Sequence, residues 1–143
     1  MLPLITIFSI LYLCTAPNLY ASDQLDLEVI TIRESNPSYS QFCQRWPNEC
    51  EIAGPEIITW TKKLALELIE VNTNVNRDII FTLDPDQYDQ DEFWNLPLAG
   101  RGDCEDNALE KRRRLAQMGY PTAALRIGTA FHSTKFYAHA LLL

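Results

Sequence analysis

The chain has 143 residues, of which 47% are hydrophobic and 22% charged, and its formal net charge is −7. That length holds one domain with a modest core and excludes two; the composition excludes a disordered or low-complexity polymer. An acidic surface repels phosphate backbones, which argues against sequence-independent nucleic-acid binding.

Leu2 to Leu13 is an apolar run broken only by Pro3, Thr6 and Ser9. It is too short to span a bilayer, which takes about 20 apolar residues. The run predicts a secretory signal over residues 1–21, cleaved after Ala21, with no stable membrane insertion afterwards. The predicted domain covers residues 22–143. From Leu25 to Ile32 apolar residues mostly alternate, as in a strand or extended arm. Cys43 and Cys50 share one short loop and can close a disulfide there. The alternative, a metal site, needs further Cys or His ligands, and none is near.

Gly54-Pro55-Glu56 predicts a helix start, with Pro in the first turn. Ile57, Trp60, Leu64, Leu68, Val71 and Val75 then fall at helical steps along one apolar stripe. Ile79 to Leu83 reads as extended, Asp84-Pro85-Asp86 as a break, and the stretch through Trp94 and Pro97 to Gly100 as a loop. A second helix is predicted from Asp103 or Cys104 to Gly119, with Pro121 enforcing the stop. Its stripe has a gap at Lys111 and Arg112, to be covered by their aliphatic stems. The run Arg112-Arg113-Arg114 reads as a solvated face. Ala123 to Ile127 and Phe136 to Leu143 read as strands, with His132 in a hairpin loop between them. The second strand is apolar to the last residue, which predicts that its covering neighbour is missing and the domain is cut short.

The chemistry concentrates in Gly100-Arg101-Gly102-Asp103-Cys104-Glu105-Asp106. Asp103 suits a helix cap, which puts Cys104 at the first helical position. There the unpaired N–H groups and the helix dipole favour a thiolate and can stabilise an oxyanion. The bland alternative is a small buried cysteine beside a capping Asp. Asp103, Glu105 and Asp106 raise the thiol pKa, so a nucleophile here calls for a compensating cation. A divalent metal on those carboxylates would supply it, and oxygen ligands favour calcium. Alternatively, Glu105 and Asp106 only complement the helix dipole. His139, inside the apolar segment Tyr137 to Leu141, is the better candidate base. A nucleophile at a helix start facing a histidine on a later strand suits a cysteine peptidase.

Taken in order, these segments resemble the bacterial transglutaminase-like cysteine peptidases. The likeness rests on Phe42-Cys43, Trp46-Pro47 and Glu49-Cys50, then Val71-Asn72, Val75-Asn76 and Phe93-Trp94. It continues through Gly102-Asp103-Cys104-Glu105-Asp106, Gly119-Tyr120-Pro121 and His139-Ala140-Leu141. The resemblance implies an α+β, papain/transglutaminase-like fold, with a nucleophile-bearing helix packed on an antiparallel sheet. It further implies Cys104 as nucleophile and His139 as general base of a periplasmic endopeptidase. Asp103 and Glu105 match acids associated with calcium, with Asp106 a further candidate. A large surface adhesin as protein substrate and an inner-membrane receptor as regulator are the partners that the resemblance implies. The chain departs from the family at Asn107, where an aromatic is usual, and it ends before the strand that carries the third triad member, an Asp. A catalytically inactive binding or regulatory module is the alternative, and acyl transfer to an amine is a third.

Overall fold

The computed structural model describes residues 36–132 and 137–143. The expected signal over 1–21 and the strand over 25–32 lie outside the described residues. Helix α1, Pro37–Arg45, takes in Cys43, which the sequence reading placed in a loop. Its start is well specified: the Asn36 side chain accepts from the Ser38 N–H at 2.9 Å, and Pro37 has no N–H to satisfy. A 3₁₀ turn follows over Pro47–Cys50, and a Cys43–Cys50 disulfide ties it back to α1 across a Cα–Cα distance of 5.5 Å.

Helix α2 runs over Lys62–Asp78, not from Pro55. The run Ile57-Ile58-Thr59 is β-branched and costly in a helix. Thr61 supplies the real cap, its hydroxyl accepting from the Leu64 N–H at 3.1 Å. Ile57 and Trp60 are therefore exposed outside the helix, while Leu64, Val71 and Val75 carry the expected stripe into the core. Strand β1, Ile80–Phe81, pairs in parallel with β2, Arg101–Gly102. Between them, Asp84–Tyr88 is a single helical turn, α3, opened by the Asp-Pro that the sequence reading took as a breaker.

Helix α4, Cys104–Gln117, keeps its predicted place. The strand expected at 123–127 moves on: Thr122–Ala124 is a 3₁₀ turn, and β3 occupies Ile127–His132. Its backbone is engaged elsewhere, with the Ala123 N–H donating to the Ala53 carbonyl at 3.2 Å and the Leu125 N–H to Thr122 at 3.3 Å. Strand β4, Tyr137–Leu142, pairs antiparallel with β3, setting His139 opposite Ala130 and Ala140 opposite Thr129. Helices beside two small sheets make a mixed architecture, compatible with an α+β chain. Among the described residues no helix is long and apolar enough to cross a membrane.

The core has two parts, and α4 contributes to both. Leu115 packs with Val71, Val75, Ile79 and Leu125. Leu109 packs with Phe42, Trp94 and Leu96. The arginine run is not the solvated face the sequence suggested. Arg112 is buried at 5% exposure; it donates from Nε to the Leu125 carbonyl at 3.1 Å and to the carbonyls of Glu49 and Glu51. Arg113 and Arg114 are half-buried and both pair with Glu110, at 2.8 Å each.

Candidate active site

Gly102 and Asp106 decide the local shape at the start of α4. A Cβ on Gly102 would lie 2.6 Å from Asp106 Oδ2 and 2.7 Å from its Cβ. Only glycine lets the helix fold its third residue back against the incoming strand. Asp103 sits at the N-cap, but its side chain makes no cap hydrogen bond, contrary to the sequence expectation. It turns instead into a group of acids.

Cys104 is the first residue of α4 and half-buried. Its thiol donates to Glu105 Oε2 at 3.1 Å, and its sulfur accepts from the Ala140 N–H at 3.4 Å. That second contact binds the tip of α4 to β4. His139, the residue before Ala140, is exposed and lines the same cleft as Cys104, a space of about 420 Å³ between α2, α4 and β4. The imidazole meets the Tyr137 ring edge-on at 6.3 Å. Thiol and imidazole thus share a cleft without a hydrogen bond between them, and the described residues give the ring no hydrogen-bonded carboxylate. His132, the rejected candidate base, ends β3.

Behind the sulfur lie Asp84, Asp103, Glu105 and Asp106, all buried. Their oxygens gather in overlapping sets: Asp84, Asp103 and Asp106 in one, Asp84, Glu92 and Glu105 in another, each within 4.8 Å. Asp84 accepts from the Phe93 N–H, and Asp106 Oδ1 from the Asn95 N–H at 2.8 Å. Asp84 Oδ1, Asp103 Oδ1 and Asp106 Oδ2 are buried with no partner among the described residues. Burial, then the charges of Asp103 and Asp84, push Asp106 up to about 7, against help from the N–H groups of Asn95 and Asp103. Burial also raises Glu105 and Asp84. The thiol follows: burial first, then Glu105 and the charge of Asp103, push Cys104 up to about 12. No Lys or Arg pairs with these acids among the described residues. An all-oxygen set with three orphaned buried oxygens fits a hard divalent cation.

Sequence reasoning found Asp103, Glu105 and Asp106 by adjacency. It missed Asp84 and Glu92, which the fold brings in from 20 and 12 residues before Cys104 along the chain. The Asp-Pro of a first helical turn was the available signal for Asp84.

A family model described as bacterial transglutaminase-like cysteine proteinase matches residues 31–143. The chain belongs to that family. Its members are cysteine peptidases, so at family level the chain is a hydrolase of that kind. Among curated proteins, none matches the chain.

Proposed function

We propose that this transglutaminase-like chain is an exported cysteine endopeptidase in which Cys104 is the nucleophile and His139 the base. The observation that carries the reading is the shared cleft: the helix-tip thiol and the strand imidazole line one space, held by the Ala140 N–H on the sulfur. In this reading Cys104 attacks a peptide carbonyl carbon, and the free N–H groups at the start of α4 receive the oxyanion. His139 takes the thiol proton and passes it to the leaving amine. Water then cleaves the thioester, returning the thiol and releasing the new carboxylate.

Asp84, Asp103, Glu105 and Asp106, with Glu92 at the rim, would hold calcium beside the thiol. The ion's charge favours the thiolate against the neighbouring carboxylates. The Cys43–Cys50 disulfide supports an oxidising compartment, in keeping with a signal over 1–21 and a periplasmic location. A papain-like arrangement, a surface adhesin as substrate and a membrane receptor as regulator belong to the same proposal, carried by the resemblance alone.

One observation favours a silent binding module instead: a thiol pushed up to about 12, hydrogen-bonded to Glu105 and not to His139. Alkylation separates the two. With calcium present, a thiol-reactive probe is expected to label Cys104 near neutral pH, and His139→Ala to slow it. Cys104→Ser is expected to abolish that labelling, with the site read by peptide mass spectrometry. A thiol inert with and without calcium would leave the binding module.

A further inference from the structure

We infer that the cleft beside Cys104 receives an acidic side chain of the peptide substrate, with Lys111 as its counter-charge; the inference rests on Cys104 being the nucleophile. Cys104, Asn107, Ala108, Lys111 and Leu115 line the cleft from one face of α4, at the three- and four-residue spacing of helix neighbours. Lys111 is therefore on the nucleophile's own face, two turns from the sulfur. Among the described residues that line the cleft it is the one Lys or Arg, half-buried in a protein of net charge −7. The other cations of α4 are satisfied: Arg112 by carbonyls, Arg113 and Arg114 by Glu110. Lys111 has no ion pair and no hydrogen bond among the described residues.

A second observation points to a ligand in the same place. Asn107, one turn from Cys104, has a buried side-chain oxygen with no partner among the described residues. Asn72 and Asn76 face the same space from α2, four residues apart. The floor is apolar, with Val71, Ala108 and Leu115. An unpaired ammonium and three carboxamides around an apolar floor suit a side chain with a short aliphatic stem and a carboxylate end. The Asn107 oxygen is left to accept a peptide N–H. Partial burial also lowers the Lys111 pKa, as expected of a cation waiting for its counter-ion.

Two small electrophiles test this on the full chain with calcium present. Iodoacetate carries a carboxylate and iodoacetamide does not, and the rate of each is read at Cys104 by peptide mass spectrometry. Any change in thiol reactivity affects both reagents, so it cancels in their ratio. Lys111→Met is expected to lower the iodoacetate-to-iodoacetamide ratio about fivefold, the size of one charge contact in a partly solvated site. Lys111→Arg should restore it. N-acetylglutamate N-methylamide should protect Cys104 from iodoacetamide better than its glutamine counterpart, and lose that advantage in Lys111→Met. An unchanged ratio with both reagents still reacting would overturn the role of Lys111 and leave the nucleophile standing. Equal protection by the two amides would exclude an acidic ligand. Failure of both reagents to modify Cys104 would remove the nucleophile, and this inference with it.

Discussion

Glu110 and Asp106 lie one helical turn apart on α4, both buried, and they meet opposite fates. Burial alone would raise Glu110, but hydrogen bonds from Arg113 and Arg114 outweigh it and hold the carboxyl below its ordinary 4.5. Asp106 has N–H donors and acidic neighbours but no cation among the described residues, and it rises. The sign of linkage follows for Glu110. A depressed carboxyl contributes stability above its unfolded-state pKa and loses it as pH falls through the folded value. Glu110→Gln should therefore destabilise the chain most near pH 6, and the gap to wild type should shrink below about pH 4.5. Urea midpoints across that range measure it. A gap that stays constant would mean that the pair with Arg113 and Arg114 contributes nothing through charge.

At the scale of elements, Arg112 is the pin that holds α4. Its guanidinium reaches the carbonyls of Glu49 and Glu51 on one side and of Leu125 on the other. It thereby joins the disulfide-bearing segment and the approach to β3 to one helix. Arg112→Met keeps the stem but leaves the buried Leu125 carbonyl and the part-buried contacts to Glu49 and Glu51 without that donor, a loss of roughly 2–5 kcal/mol. Arg113→Met, half-exposed, should cost about 1 kcal/mol or less. Thermal denaturation of the two variants checks the contrast, and equal losses would contradict it. The same residue marks the limit of reading the sequence. The stripe of α2 was legible from local spacing, and the start of α4 from the Gly-Asp that precedes it, although Asp103 makes no cap hydrogen bond. The burial of Arg112 was not, because its acceptors lie about 60 residues upstream and 13 downstream. Helix α1 went unread for a simpler reason: its apolar face is short, and only the Asn36-Pro37 cap announces it. At the candidate site, Cys104 and the three acids around it were legible as neighbours, whereas Asp84 and Glu92 depend on how the loop from α3 to β2 returns.

That return makes the acidic group a property of the whole molecule. Asp84 comes from α3, Glu92 from the following loop, and Asp103, Glu105 and Asp106 from the entry to α4. Drawing Asp84, Asp103, Glu105 and Asp106 out of water with no basic partner among the described residues works against folding. A calcium ion would reverse the balance by bridging three segments at once. If it binds the native chain alone, a hundredfold excess over Kd adds about 2.7 kcal/mol, or roughly 9–12 °C in Tm for a domain of this size. Magnesium should do less, since it demands tighter octahedral geometry. Asp84→Asn gives the decisive sign. With EGTA the variant should be more stable than wild type, because one repulsive charge is gone. With calcium it should gain less, because one ligand is lost. A purely structural role for Asp84, as acceptor from the Phe93 N–H, which the Asn oxygen can keep, predicts the same change in stability with calcium and with EGTA. Wild-type melting curves that coincide in calcium and EGTA would rule out the ion.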